Sequence, residues 1–248
     1  MRLNLISCEI FYREICQAIS RSPNQVDVRF LPKGLHDLGQ KGMQAKLDEV
    51  LKEVDEDNYE AILLGYGLCN NGIVNLSSEK IPIVVPRAHD CITLFLGDKD
   101  RYLKYFHDNP GTYFLTSGWI ERGAASGELK QLSIQNQYGL GQSLEELVEK
   151  YGEDNAKFIY EQLSINTHYK QYAYIEMGIE PDNRFEVFGK KEAEKHGWIF
   201  DHVKGDMSLI YQLVDGQWDE DKFLVVEPGQ MIKTSFNPDL IIESGSNN

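Results

Sequence analysis

Strand-like and helix-like periodicities alternate along this chain, and that alternation limits its fold more than any other feature. Short apolar or alternating runs at 3–7, 26–31, 59–64, 81–85, 112–116, 173–177, 198–203 and 223–226 read as strands. Between them lie helical stripes. Residues 10–20 carry Ile10, Phe11, Ile15, Ala18 and Ile19, with Cys16 placed on the same apolar face. Residues 43–54 carry Leu47, Val50, Leu51 and Val54. Shorter helices are expected at 101–107, at 190–196 with Gly197 as their stop, and at 207–214. The pattern predicts an α/β chain with a mostly parallel, doubly wound sheet and helices on both faces.

The rhythm breaks at 121–170, where Gly-rich and polar pieces precede two helices; Ser143 and Glu146 have the spacing of a capping box. This segment reads as a helical insertion, a lid or an interface. The expected organisation is an α/β half at 1–120, the insertion at 121–170, a second α/β half at 171–236 packed on the first, and a flexible tail at 237–248. A faint echo of Leu31–Gly34 and Ala61–Gly65 in Val203–Gly205 and Phe223–Val226 fits two similar halves, and fits chance equally well.

Charge removes several functions. The 248 residues hold 25 Lys and Arg against 39 Asp and Glu, a formal net charge of −14. Binding to nucleic-acid phosphates or to anionic membranes draws on clustered Lys and Arg, so neither partner is expected. No apolar stretch reaches the roughly 20 residues of a membrane helix. The opening Met-Arg-Leu-Asn has no signal-like run, and the four cysteines are too few for a disulfide scaffold. A cytoplasmic chain with reduced thiols is the expectation.

Those thiols are positioned suggestively. Cys8 follows the first strand, Cys69 the strand ending at Gly65, and His89 and Cys91 the strand ending at Val85. In open parallel sheets the carboxyl ends of strands line the ligand crevice where strand order reverses. Three strands would thus deliver Cys8, Cys69, Cys91 and His89 to one rim. Thiolates and imidazoles suit zinc, with Zn–S of about 2.3 Å. The alternatives are three buried thiols, or a redox or nucleophilic cysteine, which the lack of a C-x-x-C motif disfavours.

Polar groups share these turns. Glu9, Arg87 and Asp90 are the candidate catalytic residues: Asp90 to orient an imidazole or act as acid and base, Arg87 to pair with a substrate carboxylate. Asn70 and Asn71 read as loop-capping groups. Gly65, Tyr66 and Gly67 form a glycine-spaced turn that lets the backbone approach a ligand or another strand closely. The spacing is no dinucleotide fingerprint, because Asn70 stands where its third glycine belongs. Trp119 after Gly118 could wall a bound ligand. His36, Asp37 and His202 are outer-sphere candidates, and Glu176 and Glu227 are carboxylates that would face the crevice if the halves pair.

Ile6-Ser-Cys8-Glu9, Leu64-Gly-Tyr-Gly-Leu-Cys69, Pro86-Arg-Ala-His-Asp-Cys91 with its following Leu-Phe-Leu-Gly97, and Thr116-Ser-Gly-Trp119 together resemble the uncharacterised domain-of-unknown-function family 1638. The resemblance is densest over 3–120, and its Cys, Cys and His-x-Cys pattern falls on Cys8, Cys69, His89 and Cys91. It implies a setting in anaerobic bacteria and methanogenic archaea, near corrinoid-dependent methyltransferases. A zinc-dependent enzyme or accessory protein of one-carbon transfer is the resulting expectation, acting on a small-molecule substrate and meeting corrinoid only through a partner protein or methyltransferase. Self-association is compatible with it. The competing expectation is a non-catalytic binding module with a structural zinc, because three thiolates and one imidazole fill all four positions.

Overall fold

The computed structural model describes residues 1–122, 148, 152–153, 169–237 and 239–246. Most of the expected insertion, including the Ser143–Glu146 box, lies outside the described residues.

The chain is an α/β protein whose two larger sheets are parallel except for one edge strand of the first. The first begins with β1 (Arg2–Cys8), then a 3-10 turn (Glu9–Phe11), α1 (Tyr12–Ile19), β2 (Gln25–Leu31), α2 (Gly39–Lys52), β3 (Ala61–Gly65) and β4 (Ile83–Pro86). β1 pairs in parallel with both β2 and β3, and β3 with β4. β3 is buried along its whole length, as an interior parallel strand covered on both faces should be. α3 (Cys91–Leu96) and α4 (Lys99–Asp108) come next, separated by Gly97 in the left-handed conformation at φ 75°.

The second sheet is β5 (Thr112–Leu115), β6 (Gln171–Glu176) and β7 (Ile199–Lys204), all parallel. α5 (Ser117–Glu121) comes after β5, and α6 (Arg184–His196) joins β6 to β7. After α7 (Ser208–Asp215), the chain returns to the first sheet, where β8 (Phe223–Val226) pairs antiparallel with β4. The order there is β2-β1-β3-β4-β8.

Three expectations change. The halves expected at 1–120 and 171–236 do not coincide with the sheets: β5 belongs with β6 and β7, and β8 with β4. The last residues, expected as a flexible tail, carry β10 (Ile242–Ser246), which pairs antiparallel with β9 (Gln230–Thr234) and buries Ile242 completely. Cys16 is exposed, and Glu14 takes the buried place expected of it. Phe11, Glu14, Ile15 and Ala18 lie at i, i+3, i+4 and i+7, so they form one helix face and Glu14 is carried inward with the stripe.

The two sheets meet through the turn after β1 and α5. A Cβ on Gly118 would stand 1.7 Å from the Ile10 carbonyl oxygen, so only glycine permits this approach. Arg13 Nε donates to Glu121 Oε2 at 2.8 Å, the Arg122 guanidinium lies 4.8 Å above the Tyr12 ring, and Phe95 meets Trp119 at 6.2 Å.

Candidate functional site

From β1 the chain moves to one side to make β2, then to the other to make β3 and β4. Strand order therefore reverses between β1 and β3, where an open α/β sheet forms its crevice. Cys8 is the last residue of β1, and Cys69 comes four residues after β3.

The Cys69 segment is unusual. Cys69, Asn70 and Asn71 all have left-handed backbones, at φ 42°, 56° and 63°. Asparagine tolerates that region, and a cysteine there costs on the order of 1–3 kcal/mol. The turn is held by Gly72 N–H donating to Leu68 O and Cys69 O, both at 3.0 Å, and by Gln44 Nε2 donating to Asn71 O at 3.0 Å. It is also joined to the loop after β4. Leu68 N–H donates to Ala88 O at 2.8 Å and Cys69 N–H to His89 O at 3.1 Å. Gly67 permits this pairing, because a Cβ there would lie 2.7 Å from Asp90 Cα.

That pairing brings two thiols together. The interaction between the two thiols holds the Cys69 pKa below, and that of Cys91 well above, the usual thiol range. Cys8 is close enough for its charge to be felt by Cys91, and that of Cys69 is felt by Cys8. Burial pushes the Cys8 thiol up to about 12. Tyr66 sits beside this cluster, 4% exposed, and its hydroxyl has no hydrogen-bond partner among the described residues. Burial, and then the fields of Cys8 and Cys69, hold that phenol well above its ordinary pKa.

His36 joins the neighbourhood from the end of β2. Burial works against its charged form, but Asp37, with Oδ1 3.2 Å from Nε2, and the field of Cys69 outweigh it and raise its pKa. In the sequence this residue is only an outer-sphere candidate, yet a stronger signal was available: β2 ends at Leu31 directly opposite Cys8, so the residues after β2 share the rim. His89 is half-buried and contributes its backbone carbonyl to Cys69.

The expected catalytic side chains are engaged in holding the fold. Asp90 caps α3, accepting from Ile92 N at 2.9 Å and Thr93 N at 3.4 Å, and its other oxygen accepts from Tyr102 OH at 2.8 Å. Arg87 donates to the carbonyls of Glu220 at 2.8 Å and Leu240 at 2.9 Å, and to that of Ile242. Glu9 Oε1 accepts from Lys33 N–H at 3.0 Å. Gly65 is packed on Ser7, where a Cβ would fall 2.3 Å from Oγ. Trp119 is partly buried against Phe95. Glu176 binds His202 at 3.1 Å in the second sheet. Glu227 lies at the opposite end of the first sheet, because β8 runs antiparallel and sets Val226 against Ile83 at the start of β4.

A profile of the family described as a protein of unknown function (DUF1638) matches residues 30–214. The chain belongs to the DUF1638 family. The matched span includes His36, Cys69, His89 and Cys91, and Cys8 precedes it. No curated protein and no solved structure matches the chain. Among the described residues, no three His, Cys, Asp or Glu side chains stand as a ready-made metal ligand set. Nor is any helix among them long and apolar enough to cross a membrane.

Proposed function

We propose that this DUF1638 chain is a cytoplasmic metal-binding protein whose Cys8, Cys69 and Cys91 take zinc at the switch point of the first sheet. The observation that carries this reading is the convergence of three thiols from β1, β3 and β4 on one rim. The donor chemistry fits zinc, and small side-chain rotations are what would turn three neighbouring thiols into one ligand set. His36 and His89 are the imidazoles within the same group of loops. The family resemblance supplies the setting we propose: an enzyme or accessory protein of corrinoid-linked one-carbon transfer, with the corrinoid on a partner. Zinc in such a set can hold a substrate thiol deprotonated. Of the chain's own groups, Gly67 lets the two loops close and Asp90 fixes the start of α3, so that Cys69 and Cys91 keep their spacing.

A binding module without turnover is the second reading, and a specific observation favours it. Asp90, Arg87 and Glu9, the three expected catalytic side chains, are all engaged in hydrogen bonds that hold the fold.

Elemental analysis of the full chain, purified without chelator, tests the site. About one zinc per chain is expected. Cys8→Ser, Cys69→Ser and Cys91→Ser should each lower occupancy at least about tenfold, and Cys16→Ser should leave it unchanged. Metal-free wild-type protein would end the proposal. Metal that survives all three substitutions would move the site elsewhere.

A further inference from the structure

We infer that two copies of this chain pair through the outer edge of β2, antiparallel about a two-fold axis at Val28, so that their first sheets become one continuous sheet. β2 ends its sheet: its inner edge pairs with β1, and among the described residues no strand lies on its outer edge. An open edge presents a row of N–H and C=O groups that another strand can take up. Chains that stay monomeric blunt such an edge with lysine, proline, a bulge or a very short strand. β2 uses none of these. It is seven residues long, Gln-Val-Asp-Val-Arg-Phe-Leu, and its register with β1 runs unbroken from Gln25 to Leu31.

The strand's own sequence selects a second copy as the occupant. Side chains alternate between the faces of a sheet. Asp27 and Arg29 therefore share the α2 face, where Arg29 bonds Glu53 at the end of that helix. Val26, Val28 and Phe30 share the α1 face, where Phe30 meets Tyr12 at 5.1 Å. A two-fold axis normal to the sheet keeps the faces in common, so opposite residues come from the same face of each copy. Three central registers satisfy that condition. With Asp27 on the axis two carboxylates meet, and with Arg29 on the axis two guanidiniums meet. With Val28 on the axis, Asp27 of each copy stands opposite Arg29 of the other, Val26 opposite Phe30, and Val28 opposite Val28. Residues directly opposite have Cβ atoms about 4.5–5.5 Å apart, where unlike charges attract and like charges destabilise the pair. The charge pattern thus fits its own copy in one central register and rejects the two beside it.

The groups are open to this use. The side chains of Asp27 and Arg29 are 44% and 48% exposed. Asp27 accepts from Arg2 and Tyr59 through Oδ2, and Arg29 reaches Glu53 through Nη1. Across the axis these pairs join into an alternating row of Glu53, Arg29, Asp27 and Arg2, formed twice. On the other face the exposed Val28 is removed from water in both copies. Main-chain bonds supply the affinity of such an added strand, and the side chains set its register. Dimerisation through this edge needs no metal.

Sedimentation equilibrium of the full chain over a micromolar concentration series tests the edge. A species of twice the chain mass is expected, unchanged by chelator. Asp27→Arg and Arg29→Asp should each raise the dimer Kd at least about tenfold, because like charges then oppose each other twice. An equimolar mixture of the two variants should dimerise again, since every new charge faces its opposite. Misfolding could not be cured by mixing. Monomeric wild-type protein, a dimer that survives both substitutions, or a mixture that stays monomeric would each overturn the inference. A dimer that chelator dissolves would place the contact at the thiol rim and overturn it as well. If circular dichroism shows either charge variant unfolded, Val28→Cys decides: mild oxidation should give a covalent dimer in which the residue-28 peptide is linked to itself, and its absence would end the proposal.

Discussion

The two larger sheets obey the same strand–helix rule but end in different chemistry. At the rim of the first, Cys8, Cys69, Cys91 and Tyr66 are withdrawn from water to varying depths. At the rim of the second, Glu176 Oε2 and His202 Nε2 stand 3.1 Å apart with side chains 47% and 42% exposed. Strand order explains the difference. The first sheet runs β2-β1-β3-β4, with the reversal between β1 and β3 at which open α/β sheets generally part their loops. The second runs β5-β6-β7 without reversal. Delivering polar residues to strand ends is thus insufficient for a site; the topology must also part the loops that carry them.

The comparison can be broken most forcefully at the seam between the rims. In Gly118→Ala the new Cβ would stand 1.7 Å from Ile10 O and 2.6 Å from Ile10 C, both backbone atoms with no rotamer to relieve the clash. A loss of about 4 kcal/mol or more is expected in urea unfolding, beyond the usual range of point substitutions. A loss below about 1 kcal/mol would show that the turn after β1 and α5 are not held rigidly together.

Glu14 sharpens the comparison next, because it is a charged-type residue buried like the thiols and not exposed like the second rim. It is fully buried on α1, and neither carboxylate oxygen has a partner among the described residues. Burial raises its pKa from 4.5 to about 7; Glu180 and Glu121 add to the rise, while its own backbone N–H and Arg13 oppose it. Since the folded pKa is the higher one, the stabilisation is complete below about pH 4.5 and is lost as pH climbs through about 7. At roughly 1.4 kcal/mol per unit the full loss is on the order of 3–3.5 kcal/mol. Glu14→Gln should remove that slope and make the protein the more stable of the two at pH 8. Unfolding curves from pH 5 to pH 8 that stay parallel for the two proteins would refute the assignment.

Much of this fold was legible in the sequence, and the reason is local. Interior parallel strands such as Ala61–Gly65 read as continuous apolar runs, and the strand–helix alternation builds on them. Strand partnership was not legible, because nothing in Phe223-Leu-Val-Val226 says that it will leave β7 and pair antiparallel with β4. Glu227 was misplaced for that reason. β10 was missed because it is short and mostly polar, burying chiefly Ile242. For the site, the rim cysteines were visible from their places after strands. Arg87 looked like a substrate clamp because its partners, the carbonyls of Glu220, Leu240 and Ile242, come from the far end of the chain. Glu14 could have been found by helical spacing from Phe11, had its charge not argued for the surface.

The smallest effect should come from the second rim itself. His202 Nε2 meets Glu176 Oε2 at 3.1 Å, and its Nδ1 stands 3.9 Å from Glu186 Oε1. By residue type alone, a histidine between two carboxylates rivals the thiol cluster as a site. Exposure decides against it: water screens the pair, and holding the side chains in one geometry costs entropy that offsets the attraction. His202→Ala should therefore change stability by less than about 0.5 kcal/mol. It should also leave zinc occupancy unaltered. A change of even about 1 kcal/mol, or a shift in zinc occupancy, would mean that the two rims are coupled across the Gly118 seam and that the second sheet shapes the rim of the first.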